Sequence, residues 1–233
     1  LEAEKEAAEE KRIKETRRRE AEKADAEEAA SKKATRNILN RRRHLVLLVQ
    51  NQKGLNNLFK LISESYQPEN FYRYPRLDFD LLEKYNEGII ASSACLGGVY
   101  AGCYWENREQ GDEAVLDAMR SVTARMQSIF GDRWYAELQW NNIPEQHELN
   151  QYVVRICEEF DIQLVSTADS HYPRPDAWKD RELYKRMAWL GKKAPSWMSN
   201  ELPESTDAIG YELYPKNGDQ MWESYKRYSA QLG

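Results

Sequence analysis

No run of about 18 apolar residues occurs in the 233-residue chain, so the sequence offers no segment able to cross a bilayer as a helix. The charged N-terminal stretch also lacks the short apolar core of a secretory signal. Both absences make a cytoplasmic protein the expectation, with no membrane partner. Cysteine is scarce: Cys95, Cys103 and Cys157 are odd in number, and none lies in a CxxC pair. That argues against a disulfide framework or a zinc ribbon and leaves three reduced thiols. Basic charge is scarce where a broad nucleic-acid surface would need it. Of 34 Lys and Arg and 39 Asp and Glu, the first 43 residues take 14 and 11, leaving residues 44–233 with 20 bases against 28 acids. Phosphate neutralisation needs clustered bases, so any contact with DNA would be local or come through other domains.

Glycine and proline are missing altogether from residues 1–43, where 25 residues are charged and alanine fills most of the rest. That composition favours helix. Glu10 with Lys14, Glu15 with Arg19 and Glu28 with Lys32 stand four apart in the favourable order, each pair contributing roughly 0.2–0.5 kcal/mol. Leu1, Ile13, Ile38 and Leu39 are the only large apolar residues there, too few for a coiled-coil seam. The stretch reads as a long charged, solvated helix or as a partly disordered tail.

From residue 44 to 233 the pattern changes, and 41% hydrophobic residues overall suffice for the core of one domain. Leu45-Val46-Leu47-Leu48-Val49 is short, branched and wholly apolar, as expected of a strand buried on both faces. A helix carrying Leu55, Leu58, Phe59, Leu61 and Ile62 follows, ending before Pro68. Further strands are expected at 88–91, 134–138 and 162–166. A long amphipathic helix with Val115, Met119, Val122, Met126 and Ile129 on one face precedes the strand at 134–138, and a helix near 145–160 follows it. This alternation implies an α/β core with parallel strands.

In such cores the chemistry gathers where strands end. The strand at 162–166 runs into Thr167-Ala168-Asp169-Ser170-His171, and that at 88–91 into Ser92-Ser93-Ala94-Cys95 before Gly97 and Gly98. His44 stands at the start of the first strand. Asp, His and Cys are ligands of divalent transition metals, and a thiolate among them favours zinc. Each of these signals has an ordinary reading too: a local turn, a small buried hydrophobe, a satisfied polar group.

The blocks HLVLLVQNQKGLNNLFKLIS, YNEGIIASSACLGG, YAELQWNNIPEQHELN and LVSTADSHYPRPDA occur in that order, with GYELYPKNGDQMWESY after them. In order and spacing they resemble the PHP domain of the DNA polymerase III alpha subunit, the C-family replicative DNA polymerase of bacteria and phages. The resemblance implies part of a distorted (β/α)7 PHP barrel over residues 44–233, with 1–43 a charged helical extension or insertion. It also implies a cleft binding up to three divalent metals, zinc or manganese, through nine ligands. Carried over to this chain, the ligands are His44, Cys95, Asp169 and His171. The others belong to family segments that precede this one, so a fragment or a split gene is expected, and the chain alone is expected to be inactive. His147, after the turn at Asn142-Ile143-Pro144-Glu145-Gln146, is expected on a helix surface.

The implied function is support of a replicative polymerase, with metal-dependent 3′→5′ exonuclease proofreading as a further role. The implied partners are the remainder of the polymerase, in cis or in trans, and a proofreading exonuclease subunit. The palm carboxylates that polymerisation needs are absent. Two other readings stay open, a stand-alone PHP phosphoesterase of the histidinol-phosphatase type and a non-catalytic replisome adaptor.

Overall fold

The computed structural model describes residues 42–191, 204–205 and 210–229. The helix expected over residues 1–43 lies outside them, apart from Arg42 and Arg43. Four strands form one sheet in the order β1-β2-β3-β4: Val46–Val49, Ile89–Ser92, Trp134–Leu138 and Gln163–Ser166. Among the described residues seven α-helices accompany them: α1 Gln52–Ser65, α2 Phe79–Tyr85, α3 Val99–Asn107, α4 Asp112–Phe130, α5 Pro144–Phe160, α6 Trp178–Met187 and α7 Gly218–Ser229. The fold class is mixed α/β, and the four-stranded sheet is consistent with part of a barrel.

Local chemistry sets the helix ends. Asn51 starts α1 by accepting from the Gly54 amide at 3.0 Å, and Asp78 starts α2 in the same way from the Leu81 amide at 2.9 Å. Pro144 opens α5, and Asp161 closes it in the left-handed region at φ 53°. Asp112 and Glu113 occupy the first turn of α4, where the helix dipole favours negative charge.

Strand alternation then divides the sheet into two faces. Trp134 and Ala136 on β3, with Ile89 and Ala91 on β2, pack against Leu116, Met119 and Met126 of α4 and Val153 and Ile156 of α5. Each of the isoleucine, leucine, methionine and valine side chains among them contributes roughly 1.5–3 kcal/mol by leaving water. The intervening residues, Tyr135 and Glu137, face away from this core.

Two expectations need correction. The strands are not all parallel: β2-β3-β4 run parallel, but β1 pairs antiparallel with β2, Val46 opposite Ser92 and Val49 opposite Ile89. Nor is β1 buried on both faces, since Val46, Leu48 and Val49 are exposed on a strand at the sheet edge. An apolar run of this length carries no record of the direction in which its partner runs, and non-local pairing decides both points.

Candidate functional site

The reversed β1 builds the site. Because β2, β3 and β4 are parallel, their C-terminal ends share one rim of the sheet, and antiparallel pairing brings the start of β1 to that same rim. A parallel β1 would have carried His44 to the opposite edge. Instead, His44 donates its amide to the Gly97 carbonyl at 2.9 Å, and its Nδ1 lies 3.5 Å from Cys95 Sγ. The turn between β2 and α3 is shaped by its glycines. A Cβ on Gly98 would sit 2.0 Å from the Ser93 carbonyl oxygen, and one on Gly97 would sit 3.0 Å from the His44 ring.

Cys95 is partly buried, and burial pushes its thiol above the ordinary range. The Gly97 amide, donating to Sγ at 3.4 Å, works against that rise, while the negative charges of Asp169 and Glu137 add to it. The charge of the Asp169 loop thus reaches the Cys95 thiol. Asp169 adopts φ 46° and Ala94 φ 60°, so each loop carries a non-glycine residue in the left-handed region. His171 turns Nδ1 back onto the Asp169 carbonyl at 2.5 Å. With the proton on Nδ1, Nε2 carries the free lone pair, as in a ring oriented for ligation. The loop is pinned by the amides of His171 and Tyr172, both donating to the Leu213 carbonyl at 2.7 and 3.2 Å.

Among the described residues, no three His, Cys, Asp or Glu side chains stand close enough to surround one ion. The contact in place is the His44–Cys95 pair, with the Asp169 charge acting on it. The donors fit zinc in kind, because a thiol and an imidazole at this separation are soft and borderline ligands. A separate cavity of about 820 Å³ opens nearby, lined by Arg42, Arg43, Leu77 and Phe79 among others; of the four candidate ligands, it touches only His44.

Two residues escaped the sequence reading. Glu137, 8% exposed, is the link between strands: Ser92 donates its hydroxyl to Oε1, and Thr167 donates to Oε2 at 2.6 Å. Its amide donates to Ser93 Oγ at 2.9 Å. One side chain thus joins the ends of β2 and β4. Its signal was the strand period, which points residue 137 away from the helices when 134, 136 and 138 point toward them.

His147 is the other, and it corrects an expectation. It is 4% exposed, not on the surface, and neither ring nitrogen has a hydrogen-bond partner. It sits in the first turns of α5, beside the buried Gln146 in sequence. Burial holds its pKa below the ordinary imidazole value, with the nearby Asn141 backbone acting in the opposite sense. In the unfolded chain the ring takes a proton near pH 6.5, before it does so in the folded protein. Stability from this residue is therefore complete above about pH 6.5 and is lost as pH falls below it. Urea midpoints compared at pH 7.5 and pH 5.5 should fall more in the wild type than in His147→Leu. Equal falls would show that the ring is solvated.

The PHP domain family matches residues 5–141 of the chain, 137 of its 233 residues. The chain belongs to the PHP domain family. The match begins inside the charged N-terminal stretch and ends just after β3. Relatives of this PHP domain include the DNA polymerase III subunit alpha of Aquifex aeolicus, 42% identical over 133 residues, or 57% of this chain and 11% of that protein. The protein of the same name from Borreliella burgdorferi is 35% identical over 182 residues, covering 78% of this chain and 15% of the relative. That from Campylobacter jejuni is 30% identical over 185 residues, with 78% and 15% covered. The chain thus spans between 11 and 15% of the length of these relatives. Among the described residues, no helix is long and apolar enough to cross a membrane.

Proposed function

We propose that this chain is the PHP portion of a cytoplasmic replicative DNA polymerase, with residues 44–233 a barrel segment and residues 1–43 a charged extension. Its rim holds a divalent ion, zinc or manganese, through His44, Cys95, Asp169 and His171. The observation that carries this reading is the antiparallel return of β1, which sets His44 Nδ1 3.5 Å from Cys95 Sγ. Bound there, the ion would supply Lewis acidity toward a phosphodiester and ease the ionisation of water. The residues themselves do the positioning: Gly97 ties down His44 through its carbonyl and Cys95 through its amide, and the Asp169 carbonyl orients His171. The acidic balance of residues 44–233 fits a domain that receives a DNA 3′ end rather than one that grips a duplex. The remainder of the polymerase, in cis or in trans, would complete the ligand set, brace against this domain and bring DNA and a proofreading exonuclease subunit to it.

Cobalt titration of the 233-residue chain tests the centre, because a thiolate ligand gives cobalt(II) a near-ultraviolet charge-transfer band. The band is expected with the wild type and absent with Cys95→Ser. Gly97→Ala, which crowds the His44 ring, should weaken metal binding about 10- to 100-fold. A band that survives in Cys95→Ser would remove Cys95 from the centre, and no band in the wild type would sink the metal centre. Hydrolysis of DNA 3′ ends by the chain alone should stay near background. Robust turnover abolished by Asp169→Ala would place catalysis in this segment.

A further inference from the structure

Beyond the ligand loops, a line of aromatic rings leaves the same rim. Trp140 follows β3, and its indole N–H donates to Ser166 Oγ at 2.7 Å; Ser166 is the last residue of β4, three before Asp169. Against the Trp140 ring stands Tyr225 of α7, edge-on at 4.9 Å and 76°. Tyr225 in turn stacks with Trp222 at 4.9 Å and 27°. Positions 222 and 225 are three apart and so share one helix face. Trp222 is 58% exposed and Tyr225 36%, and they are the only large apolar side chains of α7 that are exposed.

Three properties narrow what such a face would bind. It is aromatic, with the Trp222 and Tyr225 rings near parallel and Trp140 edge-on to Tyr225, and three rings are too few for the roughly 800 Å² per partner that a stable protein interface buries. It carries no surplus of charge: Lys226 pairs with Glu223 at 2.5 Å, and Arg227 with Glu212 at 3.1 Å. It also touches the strand end that leads into Asp169 and His171. An exposed indole face backed by a stacked tyrosine, at the edge of a phosphate-processing rim, suits a nucleobase, since stacking accepts any base and needs no cation.

We propose that Trp140, Tyr225 and Trp222 form a stacking platform for a base of single-stranded DNA. The backbone beside that base would then pass the Asp169–His171 loop. This rests on the DNA-directed reading above. Trp222 is the outer, open end of the platform, Tyr225 its middle and Trp140 its anchor on β4.

The test is fluorescence anisotropy of a labelled 12-residue oligothymidylate with the 233-residue chain, beside an abasic oligomer of equal length. Trp222→Ala should weaken oligothymidylate binding about tenfold, and Trp222→Phe should stay within about threefold of the wild type. The abasic oligomer should bind the wild type no better than oligothymidylate binds Trp222→Ala. Since the loss is one of stacking, it should be the same factor at 50 and 200 mM salt, whereas phosphate contacts would change steeply. Circular dichroism confirms that each variant is folded. Equal binding by wild type and Trp222→Ala, equal binding of the two oligomers, or no binding of either would overturn the platform. The cobalt band of the unsubstituted chain speaks only to the metal centre. Its absence beside base-dependent binding would remove the metal and leave the platform standing.

Discussion

Trp134→Ala should lower the unfolding free energy by about 4 kcal/mol, in the middle of the range for deleting a large buried aromatic ring. Trp134 is 2% exposed and its ring meets Tyr100 edge-on at 5.7 Å and 77°. Its indole N–H donates to the Tyr100 hydroxyl at 3.1 Å, and that oxygen lies 2.8 Å from Thr123 Oγ1. Burial pushes Tyr100 up to about 12, so the phenol stays protonated through the working pH range. Removing the indole opens a cavity between β3, α3 and α4 and takes one of two partners from a buried hydroxyl. Thermal melts should show a fall on the order of 10 °C for a chain of this length. Trp134→Phe should lose about half as much, because the ring remains and Tyr100 keeps Thr123. A melting point unchanged within about 2 °C in Trp134→Ala would mean that this contact is absent in solution.

The second large effect belongs to Glu137. Glu137→Ala is expected to cost about 3 kcal/mol, since it strips the acceptor from Ser92 and Thr167 and leaves a void between them. Glu137→Gln keeps the shape, and hydroxyls can rotate to accept as well as donate, so its cost should stay within about 1 kcal/mol. Urea titrations of the three proteins check this, with an unchanged m-value showing that the folded state has kept its compactness. If alanine and glutamine behave alike, the carboxyl group is not the clamp between the ends of β2 and β4.

The elements that could be read from the sequence share one property, a hydrophobic pattern with a single period. Helix α4 was legible because Val115, Met119, Met126 and Ile129 repeat on one face, and those four are buried. Helix α3 was not, because Tyr100, Ala101, Gly102, Cys103 and Tyr104 are buried in unbroken succession and leave no stripe to detect. Helix α2, at seven residues, is too short to show a period. The site divides in the same way. Asp169, His171 and Cys95 stand out as candidates because they follow strand ends, and strand ends are legible in a sequence. The same signal marks His44 as lying beside a strand, but only the antiparallel pairing of β1 accounts for its standing next to Cys95. Glu137 was hidden because a carboxylate inside a strand resembles a solvent-facing residue, and only the hydroxyls of Ser92 and Thr167, 45 and 30 positions away, give it a role. His147 was hidden for the converse reason: a histidine in a helix's first turns gives no local sign that it will be buried.

The position of each strand in the sheet also fixes the order in which the rim can come apart. Cys95 follows β2, which has a paired neighbour on both sides, whereas Asp169 and His171 follow β4, whose outer amides pair with no strand among the described residues. Local opening starts where fewest contacts must break, so β4 can fray while β2 and β3 stay closed. The rim therefore has one inner member, Cys95 beyond β2, between two that hang on edge strands, His44 on β1 and Asp169 with His171 beyond β4. Whatever steadies β1 and β4 from outside would set how often the three loops stand together around Cys95.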